Sequence, residues 1–400
     1  MKAFILNIGD EVLSGKTINT NSSFIAQQLN KLSITVEKIV VVGDDEASIR
    51  KEVEEFRKSD LDIFISTGGL GPTHDDLSKE VIVSALGLSM ELNLQVKEKV
   101  DRYFNNLPPL SNLKQAYFPK EAIIIDNELG TAPGAIIPYE GKHYFILVGP
   151  PSELKPMVKN DCFNYLKNLQ NDEVLLKEYL VMGGGESFFE DLLIDLINNL
   201  KHVSLTPYAS VGKIRYQIKA NKQAEHEFLK VKNTFEDIME KYIVSKEDKE
   251  VEEVLYELLK KYNYKISFGE SITGGMIAST FINVSGASSC LSESFITYSN
   301  EAKQKHLQVK PNTIKKYGEV SKEVVQEMVE GLQELTKADV ALALTGYAGP
   351  NGENIGLVYY GIKIKDDLYI SKSNFRGNRQ MIRQRATLLG LYKLVLLLRE

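Results

Sequence analysis

Three groups of side chains stand at spacings that could do chemistry. The first is a glycine run closed by carboxylates, Ser66-Thr67-Gly68-Gly69-Leu70-Gly71-Pro72-Thr73-His74-Asp75-Asp76. Clustered glycines let backbone N–H groups approach an anion, and a helix start just beyond adds the positive end of its dipole. Gly68, Gly69, Gly71 and Thr73 are therefore candidates for holding phosphate, and Thr73 could equally cap the helix. Asp75 and Asp76 would repel a bare phosphate. They make sense if a divalent cation such as Mg²⁺ bridges carboxylate and phosphate. The alternative is a tight turn whose carboxylates cap a helix. Two more loops, Asn127-Glu128-Leu129-Gly130-Thr131-Ala132-Pro133-Gly134 and Gly149-Pro150-Pro151-Ser152-Glu153, follow apolar runs. They could line the same crevice and bring Asn127, Gly130 and Thr131 to the ligand.

The second group is Glu270-Ser271-Ile272-Thr273-Gly274-Gly275. A serine at a strand-to-helix turn is presented at the sheet edge. Backbone N–H groups around Thr273, Gly274 and Gly275 could hold a tetrahedral oxyanion. An ordinary helix cap would use the same residues, and the turn alone leaves both readings open. An attacking serine needs a base. None of the five histidines (His74, His143, His202, His226, His306) falls in a second C-terminal motif. A lysine can serve if burial or nearby cations lower its pKa. Lys303, just past a strand and near Tyr298, is the candidate; a surface lysine is the ordinary alternative. The third group is Thr345-Gly346 after an apolar strand, together with Arg376, Arg379, Arg383 and Arg385. Arg379 and Arg383, four apart, share a face if the stretch is helical, and such a pair suits a phosphate.

These residues need elements to hold them. Residues 1–168 alternate apolar runs (3–9, 34–43, 62–69) with amphipathic stretches, and Asn21 is placed to cap a helix carrying Ile25, Leu29 and Leu32. The pattern predicts an α/β domain with a parallel sheet, extended by the runs at 122–125 and 143–149. Residues 169–249 read as a small α+β unit ending in a charged stretch, a plausible linker or helix start. Residues 250–400 alternate again, with an antiparallel pair at 357–364 and 368–375 and a terminal helix. The chain of 400 residues carries a net charge of −6, which argues against an extended nucleic-acid surface. Two cysteines cannot build a disulfide framework and fit a reducing cytosol. No apolar run is long enough for a membrane span, and the start of the chain reads as a strand rather than a signal peptide. A cytoplasmic protein with no membrane partner is the expectation.

Taken in order, Gly-Asp-Glu at 9–11, Thr20-Asn21, GGLGPTHDD, NELGTAPG and GPPSEL resemble the N-terminal domain of the CinA family. That domain is similar to molybdenum-cofactor biosynthesis proteins. ESITGG, FITYSNEAK, LTGYAGPNG and GNRQMIRQRA resemble the family's C-terminal domain, which is similar to stand-alone nicotinamide mononucleotide amidohydrolases. The resemblance implies an N-terminal, metal-dependent hydrolysis of ADP-ribose to AMP and ribose 5-phosphate. Gly68, Gly69, Gly71 and Thr73 would hold phosphate, and Asp75, Asp76 and Asp10 the metal. Family members often carry Glu where this chain has His74. The resemblance also implies a C-terminal deamidase with Ser271 as nucleophile, Lys303 and Tyr298 assisting, and Thr345 and Arg379 on the substrate. That domain would need no cofactor. Ile272 stands where the family often has cysteine, and Asn378 replaces an acid before Arg379.

The middle segment resembles a KH-type module. However, Gly183, Gly184, Gly185 and Gly212 give no GXXG spacing, and acidic residues outnumber basic ones. A spacer or dimerisation role is expected there over nucleic-acid binding, with a homodimer implied by the resemblance. The rival expectation is a non-catalytic binding or scaffold protein in competence or DNA-damage response.

Overall fold

The computed structural model describes residues 1–169 and 174–400, which form two compact units, Met1–Val174 and Leu175–Glu400. In the first unit, β1 (Lys2–Ile8), β2 (Thr35–Val42) and β3 (Ile63–Thr67) come from the expected apolar runs. A short ribbon joins β4 (Glu91–Leu92) to β5 (Tyr117–Phe118). β6 (Ile123–Ile125), β7 (Gly134–Tyr139) and β8 (Lys142–Leu147) complete a six-stranded sheet in the order β2-β1-β3-β8-β7-β6. β1, β2, β3 and β8 run parallel, but β7 is antiparallel to both β8 and β6. The sheet is therefore mixed, which corrects the all-parallel expectation. The reason is local: Glu140 and Gly141 adopt positive φ and turn β7 straight back into β8 as a tight hairpin. β1 and β3 are buried almost throughout, as central strands covered on both faces must be. Phe4, Phe56, Phe64 and Tyr144 pack into one aromatic cluster in the core beneath the loops.

Asn19, not Asn21, caps the helix Thr20–Lys31, accepting from the Ser22 N–H. Two residues of displacement free Asn21 for another role, described below. The helix after the glycine run spans Ser78–Ala85, and Thr73 does not cap it.

A buried lysine fastens the glycine run from behind. Lys79 donates 2.8 Å to the carbonyl of Lys114 and lies 4.3 Å from the centre of the Phe118 ring. The ammonium of Lys114 in turn donates to the carbonyls of Thr73 and Asp76. Burial pushes the Lys79 pKa from 10.5 down to about 8; Lys114 pushes the same way and Glu80 opposes. Unfolded chains thus bind the extra proton between about pH 8 and 10.5, so stability rises with pH across that window. The whole gain is on the order of 3 kcal/mol, from about 1.4 kcal/mol per pH unit. In Lys79→Met this component should vanish. Urea midpoints of both proteins across that window check it, and equal pH dependence would contradict it.

In the second unit, β9 (Val174–Val181), β10 (Val203–Ser210), β11 (Lys213–Asn221) and β12 (Ile243–Ser245) form a four-stranded sheet in the order β10-β11-β9-β12. Helices Glu186–Asn198 and Glu225–Met239 bury Phe189, Leu193, Phe228 and Phe235 in the cluster beside it. The charged stretch at its end becomes the capped start of helix Val251–Tyr262, with Glu250 and Glu253 closing a reciprocal cap. β13 (Ile266–Glu270), β14 (Leu291–Ile296), β15 (Val340–Gly346), β16 (Leu357–Ile364) and β17 (Asp367–Asn374) make a five-stranded sheet, β14-β13-β15-β16-β17. β13 is parallel to β14 and β15. β16 and β17 are the expected antiparallel pair, and the terminal helix spans Arg379–Leu397. Among the described residues no helix is long and apolar enough to cross a membrane.

Candidate functional site

Each unit carries its own candidate site. In the first, the loops after β1, β3 and β8 and the 127–132 loop enclose a cleft of about 720 Å³. Gly68, Gly69, Gly71, Gly130, Thr131, Asp75 and Asp76 line it, as expected. Gly68 sits at φ +105°, and a Cβ there would stand 2.1 Å from the carbonyl oxygen of Ile8, so only glycine lets β1 and the loop approach so closely. The N–H of Gly68 is already spent on the Leu147 carbonyl and that of Gly130 on Asn127 Oδ1. Among the described residues the N–H groups of Gly69 and Gly71 make no hydrogen bond, so they are among the free donors for an anion.

Three expected residues are placed elsewhere. Thr73 turns its N–H (3.0 Å) and hydroxyl onto Asp76, closing the loop on itself. Asn127 shapes its own loop, donating to Ala132 O and Glu153 and accepting from Leu129 and Gly130. Asp10 folds against Gly43, outside the cleft lining, whereas its neighbour Glu11 lines it. Of the expected metal ligands, Asp75 and Asp76 line the cleft and Asp10 does not. Among the described residues no three His, Cys, Asp or Glu side chains form a group that could hold a metal ion. The donor set does not fit a resident metal, and no chemical step is derived through one.

Sequence reasoning missed Asp44, Tyr103 and Asn21 in the lining. Burial raises the Asp44 carboxyl above its usual range, as do the neighbouring charges of Asp10, Glu11 and Asp75; the hydrogen bond from the Asp10 N–H opposes them. The signal for Asp44 was present in the sequence: it lies just past the C-terminal end of β2, where ligands of open α/β sheets gather.

In the second unit, β13 delivers Ser271 to the C-terminal edge of the sheet. The Ser271 N–H reaches the Leu344 carbonyl of β15, and Thr297, just past β14, donates 2.7 Å to the Glu270 carbonyl. Ser271 is buried, and among the described residues its Oγ makes no hydrogen bond. Lys303 rides on helix Asn300–Leu307, which Ser299 caps directly beyond β14. Its side chain is only 2% exposed, and its ammonium forms no hydrogen bond or salt bridge among the described residues. Burial pushes its pKa below the lysine norm, with Glu319 and Glu301 pulling back. This is the environment in which a lysine amine is available as a base.

The expected oxyanion donors are corrected. Glu270, 0% exposed, inserts its carboxylate under the helix Met276–Phe281 and takes the N–H groups of Gly275 (2.9 Å), Ile277 (3.1 Å) and Ala278 (2.9 Å). Gly274 N–H returns to the Ser271 carbonyl. Only Ile272 and Thr273 keep N–H groups without an acceptor among the described residues, and these are the donors left for an oxyanion. The buried hydroxyls of Thr273 and Thr297 also lack partners.

The arginines divide. Arg383 clamps the turn, donating to the carbonyls of Ile272 (3.1 Å) and Thr273 (2.6 Å). It holds the backbone of this turn, which corrects its expected phosphate role, because its donors face carbonyls rather than an open anion site. Arg379 is exposed and bridges Gly349 O (2.6 Å) and the hydroxyl of Tyr298 (2.9 Å). Tyr298 itself is 60% exposed. Thr345 donates to the Glu319 carbonyl, and Gly346 ends β15 against Ile272. Glu319 also accepts from Tyr347; Glu319 was not foreseen, because it sits in a loop without a motif of its own.

Two family models match the chain. One, described as the CinA C-terminal domain, covers residues 248–398; the other, a probable molybdopterin binding domain, covers residues 4–168. A putative competence-damage inducible protein of Thermoanaerobacter pseudethanolicus is 37% identical over 400 residues, covering 97% of this chain and 96% of the relative. One from Clostridium botulinum is 39% identical over 395 residues, covering 96% of each. A solved CinA structure of unknown function from Thermoplasma acidophilum shares 31% identity over 40% of this chain and 94% of its own, with a TM-score of 0.38. With relatives of that identity along nearly its whole length, and with both domain models in order, the chain belongs to the CinA family, an N-terminal molybdopterin-binding-like domain followed by a C-terminal CinA domain.

Proposed function

We propose that the C-terminal domain, residues 250–400, is an amidohydrolase that converts nicotinamide mononucleotide to nicotinic acid mononucleotide and ammonia. The observation that carries the reading is Lys303, a nearly enclosed lysine of lowered pKa on the helix beyond β14, the strand paired beside the one that ends at Ser271. The neutral Lys303 amine takes the proton of Ser271 Oγ as it attacks the carboxamide carbon. The N–H groups of Ile272 and Thr273 receive the oxyanion. When the tetrahedral species collapses, the C–N bond breaks, and Lys303, with Tyr298 as relay, returns the proton to the departing nitrogen. Water then adds to the acyl ester, gives its proton back through Lys303, and frees Ser271 with the carboxylate product. Arg379, exposed beside Tyr298, meets the 5′-phosphate.

The N-terminal domain, residues 1–168, is a nucleotide-binding unit in this reading, with ADP-ribose hydrolysis as its proposed activity. Residues 169–249 are proposed as a KH-like spacer, and the assembly as a homodimer. A second reading is a binding protein without turnover, acting in competence or DNA-damage response. That no group of three possible metal ligands occurs among the described residues favours it for the N-terminal cleft. Product analysis on the intact chain with each nucleotide, with and without chelator, separates these readings. Ammonia from nicotinamide mononucleotide is expected in both arms. AMP from ADP-ribose only without chelator marks a pyrophosphatase; retention of ADP-ribose with no AMP marks the binding reading. No ammonia in either arm removes the deamidase.

A further inference from the structure

The lining of the acidic N-terminal cleft includes a buried side-chain oxygen without a hydrogen-bond partner. Asn21 is 7% exposed and lines the cleft. Its amide nitrogen donates to Thr67 Oγ1 (3.1 Å) and to the Gly149 carbonyl (2.7 Å). Both partners act as acceptors, since Thr67 spends its own hydroxyl proton on the Val148 carbonyl. The amide orientation is therefore fixed by chemistry, and Oδ1 must face the other way. That oxygen is buried and has no hydrogen-bond partner. A buried acceptor left unpaired is costly, and such atoms in native structures call for a partner.

The rest of the lining says what kind of partner. Glu11, Asp44, Asp75, Asp76 and Glu153 contribute carboxylates, and among the described residues no Lys, Arg or His lines the cleft. The lining also carries backbone N–H groups and neutral Asn, Thr and Tyr side chains, but its charged groups are acceptors throughout. A ligand part rich in donors fits it; a bare anion does not.

The geometry points to Asn21 as a specificity-determining residue that accepts a hydrogen bond from the ribose diol of a nucleoside 5′-phosphate. The inference rests on the reading of this cleft as a nucleotide site and names the part of the nucleotide it reads. The ribose diol supplies two neighbouring O–H donors, one for Oδ1 and one for a carboxylate of the wall. The phosphate is left to the N–H groups of Gly69 and Gly71.

The test uses AMP, which has no pyrophosphate bond to break, and 2′,3′-dideoxy-AMP. Both are titrated calorimetrically into the full chain at constant magnesium chloride. Wild type is expected to bind AMP at least about tenfold more tightly, as follows when a buried acceptor is left without its donor. In Asn21→Leu, which removes the acceptor at similar volume, the ratio should fall to near one. Equal binding of the two ligands by wild type overturns this inference alone and needs no variant to fold. A tenfold ratio that survives in folded Asn21→Leu also overturns it. No binding of either ligand overturns the nucleotide reading and this inference together.

Discussion

Ser271→Ala should lower ammonia release from nicotinamide mononucleotide by at least about a thousandfold in kcat, with the protein still folded. The Ser271 hydroxyl makes no hydrogen bond among the described residues, so removing it breaks nothing that holds the turn. Lys303→Met should lose a comparable factor, because it removes the amine that serves as base in this reading. Lys303→Arg should not rescue it, since a guanidinium stays protonated and cannot accept the serine proton. The pH dependence follows from the direction of the Lys303 shift. Burial favours the neutral amine, the neutral amine is the base, and kcat/KM should rise with pH through a pKa lower than that of an ordinary lysine. Steady-state kinetics of the three variants, with circular dichroism as the folding control, check the set. Full activity in Ser271→Ala, or in Lys303→Met, would contradict it.

Glu270→Ala should be the most destabilising single change near the site. The carboxylate receives three backbone N–H groups at the start of helix Met276–Phe281, in a fully enclosed position. Removing it orphans those donors and withdraws a negative charge from the positive end of a helix. Each hydrogen bond to a charged acceptor is worth about 1.5–3 kcal/mol, so a loss of roughly 3–5 kcal/mol is expected once relaxation is allowed for. Gly275, held at φ +95° with Ile296 against it, leaves the turn little freedom to recover. Glu270→Gln should lose less, because its amide oxygen still accepts while its NH2 meets donors. Denaturant midpoints rank the three proteins. A Glu270→Ala variant as stable as wild type would show that other acceptors serve the helix.

Much of the frame was legible from local pattern. The apolar runs at 3–9 and 62–69 became the buried strands β1 and β3, and the alternation at 357–364 and 368–375 became the antiparallel β16 and β17. Both chemistry-bearing loops sit where strand ends meet helix starts, which glycine spacing announces. Two of the misses share a physical cause: they are pairings across long stretches of chain. Arg383 meets a carbonyl 111 residues away, and Asn21 one 128 residues away, and no local pattern encodes either. β7 was obscured because its apolar run follows a glycine-proline loop and contains Pro138, features that read as turn. Glu270 was visible in the motif but given no role. A carboxylate just before a glycine-rich turn can reach the N–H groups of the helix beyond, and it took donors that the turn alone had offered to an oxyanion.

The most direct test of the account is whether the carboxamide is ever joined to the protein. The full chain, mixed with nicotinamide mononucleotide, acid-quenched within turnovers and digested, should yield a peptide carrying the acyl group, heavier by the substrate less ammonia, on Ser271. Ammonia released at full rate with that serine unmodified, and released equally by Ser271→Ala, would contradict the account.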